Sequence, residues 1–260
     1  MDRLDAWKAT SNLSPNTFRI YQRVILRYRA QYGESVDIDD IIQFIENGTC
    51  RWAETYAMRN YISTLEKVGM APEGTAKLIP QYVPGPKREK HVPTPEQVER
   101  LLRHIPDDAA RTAVMLMCDA GLRYNEVKSL RWSDIDFQNR TMRVTGKGRR
   151  VPKIRTIPII TDRLYAHLCF LYENIRDESP EFVIPRKYYP SLYTEFRGGS
   201  RKMNIRTHIT AGARRARENG YFVPEGLHPH IFRHYFAVQC ASLPNPNFKA
   251  IQLMLGHPSL

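Results

Sequence analysis

Five basic side chains stand in a fixed order along the second half of the sequence. They are Arg123 in Gly-Leu-Arg-Tyr-Asn-Glu-Val, Lys147 in Gly-Lys-Gly, His230 and Arg233 in His-Ile-Phe-Arg-His, and His257 in Leu-Gly-His. This set suits a phosphodiester under attack, which becomes pentacoordinate and gathers negative charge on its two non-bridging oxygens. Two guanidinium forks answer that geometry better than two ammonium groups, because each offers paired planar donors and stays charged at any relevant pH. Lys147 lies between two segments with strand character, where a flexible ammonium could reach a leaving oxygen and donate a proton. His230 and Arg233 are one helical turn apart and therefore share a face. Glu126, three residues after Arg123, can hold that guanidinium in place.

These residues need elements to carry them. Ser14-Pro15 reads as an N-cap followed by proline at the first helical position, and Phe18, Tyr21, Ile25 and Tyr28 recur at helical spacing. Asp37 to Glu46 and Trp52 to Val68 read as two more helices, parted by Asn47-Gly48 and ended by Gly69. Residues 1–80 are thus expected to form a small all-helical domain. From Ile79 to Thr94 the chain carries four prolines and the basic cluster Lys87-Arg88-Glu89-Lys90-His91, which makes 81–94 the expected linker.

Residues 95–260 are expected to form a second domain that is mainly α with a small β-sheet. Thr94-Pro95 opens its first helix. Ala109 to Ala120 is an apolar helix broken at Gly121, and an amphipathic helix through Glu126, Leu130 and Trp132 is expected after Arg123. Thr141 to Thr145 and Thr156 to Ile160 read as paired strands, and helices are expected over Asp162 to Arg176, Asn204 to Asn219, Pro229 to Ala241 and Phe248 to Leu255.

The bulk properties bound the partner. With 39 Lys and Arg against 27 Asp and Glu, the net charge of +12 favours a polyanion, nucleic acid before an anionic membrane. No run approaches the roughly 20 apolar residues that cross a bilayer, and residues 1–10 contain no apolar signal core. A cytoplasmic, nucleoid-associated protein is expected. Cys50, Cys118, Cys169 and Cys240 are too scattered for a zinc site or a disulfide framework. Asp134 and Asp136 are too few for a two-metal site, and no metal or other cofactor is expected.

The order of motifs resembles the tyrosine recombinase (phage integrase) family across nearly the whole chain. The resemblance implies a helical, SAM-like core-binding domain and an α+β catalytic domain that close on double-stranded DNA, tetramers on two sites, and strand exchange through 3′-phosphotyrosine intermediates. It implies that Arg123 and Arg233 clamp the phosphate and that Glu126 buttresses Arg123. Lys147 would be the general acid with Lys153 its rival, His230 would assist proton transfer at the tyrosine, and His257 would donate to a non-bridging oxygen. Backbone phosphate contact is expected of Arg149, Arg150 and Arg155, and major-groove contact of Arg206, Thr207 and Arg214. The family's tyrosine follows Leu-Gly-His by about two helical turns. The sequence stops at Leu260, so a catalytic chain without its tyrosine segment is expected, with Tyr235 and Tyr221 poorly placed to replace it. A non-catalytic DNA-binding remnant or regulator occupying recombination sites is the alternative.

Overall fold

A proline directly after the capping residue starts three helices, because its fixed φ suits the first turn and its missing N–H would have gone unpaired there. The computed structural model describes residues 2–86, 91–146, 153–174, 181–184 and 205–256. They fall into two compact units divided between Arg88 and Glu89.

The first unit is helical throughout its described residues: α1 (Arg3–Thr10), α2 (Pro15–Tyr32), α3 (Ile38–Glu46), α4 (Arg51–Lys67) and the short α5 (Thr75–Leu78). The side chain of Ser14 caps α2, and Asp37 caps α3 by accepting from the N–H groups of Asp39 and Asp40. α4 is the centre of this unit and packs against the other four helices. Trp7, Ile25, Tyr28, Ile41, Met58, Tyr61, Ile62 and Leu65 fill the core between them. Periodicity does not anticipate α1 or α5. α1 buries only Leu4, Ala6 and Trp7, too few to repeat, and its start depends on the Asp2 side chain accepting from the Leu4 N–H. The expected linker 81–94 begins just after Ile79, which is buried in the first core, and Val92 packs against the second.

The second unit opens with α6 (Pro95–His104), where Thr94 and Gln97 form a complete capping box. Next come the almost wholly buried α7 (Asp108–Asp119) and α8 (Tyr124–Ser129). A 3-10 turn at Trp132–Asp134 leads into β1 (Ile135–Asp136), β2 (Thr141–Gly146) and β3 (Lys153–Pro158). These form one antiparallel sheet in the order β1-β2-β3, with Val144 opposite Arg155 and Gly146 opposite Lys153. Among the described residues, the helices α9 (Asp162–Asn174), α10 (Ile205–Glu218), α11 (Pro229–Ala241) and α12 (Phe248–Leu255) follow.

The helix expected through Leu130 and Trp132 ends at Ser129 instead. The Leu130 carbonyl accepts from the Val183 N–H and the Trp132 N–H donates to the Glu181 carbonyl, so a distant segment takes the backbone groups that a longer helix would have used. The Asp134 and Asp136 carboxylates have local structural partners. Asp134 accepts from the Arg131 N–H and pairs with Arg143, while Asp136 accepts from Asn139. No helix among the described residues is long and apolar enough to cross a membrane.

Candidate active site

The site is built on a single buried carboxylate. Gly121 takes φ +64°, which breaks the chain away from α7 and sets Arg123 as the residue that begins α8. Glu126 then lies in the first turn. Its Oε2 accepts from the Arg123 N–H at 2.8 Å and its Oε1 from Arg123 Nη1 at 2.9 Å. This is the carboxylate half of a capping box; a guanidinium has no acceptor with which to complete it.

Glu126 is only 4% exposed, and a carboxylate so buried must be paired. From β3, Arg155 reaches both oxygens, Nη1 to Oε1 and Nη2 to Oε2, each at 2.9 Å. From α11, Arg233 Nη1 stands 3.8 Å from Oε2. Burial by itself would raise the Glu126 pKa. The bonds from Arg155, then those from Arg123, outweigh it and hold the carboxyl below its ordinary value. Among the described residues, three guanidiniums thus face one carboxylate, and positive charge is in surplus there.

The same three arginines collect the C-terminal end of α12. Arg155 Nε donates to the Met254 carbonyl at 2.7 Å, Arg233 Nη2 to that of Leu255, and Arg123 Nη2 lies 3.5 Å from that of Gly256. A helix leaves its last carbonyls unpaired, and they form the negative end of its dipole, so cations are their natural partners. Arg233 Nη1 also donates to the Gly121 carbonyl at 2.6 Å. Burial, and then the repulsion of Arg123, draw the Arg233 pKa down to about 10, still well above neutrality, so it remains a cation.

Three described glycines beside the motif cations have a steric reason. A β-carbon on Gly121 would sit 2.5 Å from the Phe236 ring and 3.1 Å from Leu255. On Gly146 it would lie 3.2 Å from Glu126 Oε1, and on Gly256 3.2 Å from Arg155 Nη1. Gly146 and Gly256 therefore give up a side chain where the backbone approaches the arginine–carboxylate cluster, and Gly121 gives one up against the apolar Phe236 and Leu255.

The sequence model of the phage integrase family matches residues 92–260. The chain belongs to that family. It is 26% identical to a "Tyrosine recombinase XerC" of Ralstonia pickettii over 310 aligned positions, spanning 99% of this chain and 85% of the relative. Identity to the XerC of Chromohalobacter salexigens is 33% over 183 positions, 67% of this chain and 56% of that one. Among solved structures, the Tn1549 transposon integrase in complex with a circular intermediate DNA shares the fold with a TM-score of 0.69 at 18% identity, covering 100% of this chain and 92% of its own. A lambda integrase tetramer bound to a Holliday junction does so with a TM-score of 0.70 at 16% identity, covering 99% and 76%. The named relatives are enzymes, tyrosine recombinases.

In this integrase-family chain Arg123, Glu126 and Arg233 come together from α8 and α11. His230 is exposed on α11 one turn before Arg233, with its ring edge-on to that of His234 at 4.7 Å. Lys147, Arg149, Arg150 and His257 lie outside the described residues; Gly146 and Gly256, which precede Lys147 and His257, both adjoin the cluster. Lys153 is exposed at the start of β3.

Arg155 differs from its expected place at a DNA phosphate. Its side chain is 14% exposed and all three guanidinium nitrogens bond inside the domain. Strand alternation carries the signal for this, since Arg155 shares a strand face with the fully buried Ile157. Arg206, Thr207 and Arg214 are exposed on α10, and Arg214 pairs with Glu218 at 3.6 Å. Tyr235 is buried, with its pKa raised by burial and then by Cys118, and Tyr221 lies against His104 and Arg100.

Proposed function

We propose that this chain is a site-specific DNA recombinase or integrase that binds duplex DNA and activates one backbone phosphodiester for attack by a tyrosine, giving a 3′-phosphotyrosine intermediate. The observation that carries the reading is the surplus of guanidinium charge around Glu126. A buried ion pair alone would be neutral, whereas this cluster has charge left over for an anion that approaches from the half-exposed Arg123.

Arg123 is the open end of the clamp, with a side chain 37% exposed. Glu126 fixes its guanidinium plane, so the donors need no reorganisation when charge builds on the non-bridging oxygens. Arg233 supplies a second cation behind the first. Its Nη2, now on the Leu255 carbonyl, exchanges that acceptor for phosphate when DNA is bound. His230, exposed one turn away, serves proton transfer at the attacking tyrosine. Lys147 protonates the leaving oxygen, and His257 donates to a non-bridging oxygen. Bond energy is kept in the phosphotyrosine link, so the exchange is isoenergetic.

The helical first unit, with exposed Arg19, Arg23 and Arg51, is assigned to duplex binding as a core-binding domain, the basic 81–94 segment to the connection, and the second unit to catalysis. Arg206, Thr207 and Arg214 on α10 are assigned to the groove, and a tetramer to the assembled complex. The DNA complexes and the tetramer of the structurally similar integrases support duplex binding and the tetramer.

The test is a suicide duplex that traps covalent protein–DNA adducts, used with protein expressed from its complete reading frame. Wild type forms the adduct, and Arg123→Lys slows it by about 100-fold to 1,000-fold while duplex affinity changes little, since many other cations hold the backbone. Duplex binding without any adduct would contradict the reading and favour a non-catalytic binder.

A further inference from the structure

We propose that Arg155 is a positioning residue for this site, one side chain that sets the carboxylate, the first arginine and the end of α12 in register. The inference rests on the recombinase reading above and adds a residue to it. Arg155 comes from β3, whose partner β2 ends at Gly146 immediately before Lys147. Its two parallel bonds to Glu126, both at 2.9 Å, fix the plane of that carboxylate. Each Glu126 oxygen then keeps a lone-pair direction for Arg123, Oε1 for Nη1 and Oε2 for the backbone N–H. The third guanidinium nitrogen, Nε, holds the Met254 carbonyl at 2.7 Å and so ties α12 to the same carboxylate two residues before Gly256.

The surroundings fit a guanidinium and nothing bulkier. A β-carbon on Gly146 would come within 3.4 Å of Arg155 Nη1, and one on Gly256 would meet Nη1 at 3.2 Å and Cζ at 3.3 Å. Two motif glycines therefore keep room for this side chain. An ammonium could replace its charge but not three coplanar bonds in fixed directions, so the role depends on shape as well as charge. Arg155 does not touch the phosphate; it acts through Glu126.

The experiment compares wild type, Arg155→Lys and Arg155→Gln from the complete reading frame, under single-turnover conditions with saturating suicide duplex. Each variant is assayed well below its own melting midpoint, so that only the folded, DNA-bound protein is read. Both variants are expected to slow adduct formation roughly 10-fold to 100-fold, with no rescue by lysine and no change in duplex affinity. The salt dependence of binding is also expected to stay as in wild type, whereas loss of a phosphate contact would reduce its log–log slope by about 0.9. Should Arg155→Gln not fold, Arg155→Lys carries the comparison.

An unchanged rate in the folded variants, rescue by lysine, or a reduced salt slope would overturn the positioning role while leaving the recombinase reading intact. Failure of wild type itself to form an adduct would instead overturn the recombinase reading, and this role with it.

Discussion

Among the described residues, each unit of the molecule buries one glutamate on a helix, and the two are surrounded differently. In the first unit Glu54 is fully buried on α4, where its Oε1 takes one guanidinium, Arg27, and the Cys50 N–H at 3.3 Å. Its Oε2 has no hydrogen-bond partner among the described residues. Gly48 lies so close that a β-carbon there would fall 1.8 Å from Oε2. One anion meets one cation, and the pair ties α4 to α2. In the second unit Glu126 meets three cations, two at bonding distance and one at 3.8 Å. The first arrangement balances in charge although Oε2 stays unbonded, whereas the second, among the described residues, holds more positive than negative charge. Surplus charge, more than burial, distinguishes the two.

Glu126→Gln should give the largest effect. It leaves three neighbouring guanidiniums with no counter-charge, and breaking a buried pair from one side costs about 3–5 kcal/mol. The measurement is chemical denaturation followed by a probe in the second unit. Glu54→Gln removes the anion from a single cation that is itself 42% exposed and can return to water. Its loss should be smaller, about 1–2 kcal/mol, read on the first unit. Equal losses would erase the distinction between the two sites.

Gly121→Ala should follow, at about 1–3 kcal/mol, because the added methyl meets Phe236 and the positive φ disfavours any β-carbon. Acid should also weaken the second unit. The Glu126 carboxyl is held below its unfolded value, so its contribution is fully present above about pH 4.3 and is lost as pH falls through the folded value. Between those limits the melting temperature of the second unit should fall in wild type and less steeply in Glu126→Gln. Arg143→Gln, which breaks a pair whose arginine is 60% exposed, should shift stability by less than about 1 kcal/mol and leave DNA cleavage unchanged.

Much of this was legible in the sequence where the cause is local. Ser14-Pro15, Thr94-Pro95 and Pro229 mark helix starts, because capping and a fixed φ act within a turn. The two strands of the hairpin and the break at Gly121 were readable for the same reason. What depends on distant partners was not. α8 stops at Ser129 because residues 181–183 take the backbone groups of Leu130 and Trp132. At the site, Arg123, Glu126 and Arg233 could be named from their motifs. Arg155 was hidden among the cations of the hairpin, and its role depends on α8 and α12 reaching it from 29 and 99 residues away.

The central claim is that this charge surplus exists to meet the charge of one phosphate. The most direct measurement is adduct formation by wild type and Arg123→Ala on two suicide duplexes, one ordinary and one with a neutral methylphosphonate at the scissile position. If the guanidinium matches phosphate charge, Arg123→Ala fails on the ordinary duplex but cleaves the neutral one within about 10-fold of the wild-type rate on it. An equal defect of Arg123→Ala on both duplexes would contradict the account.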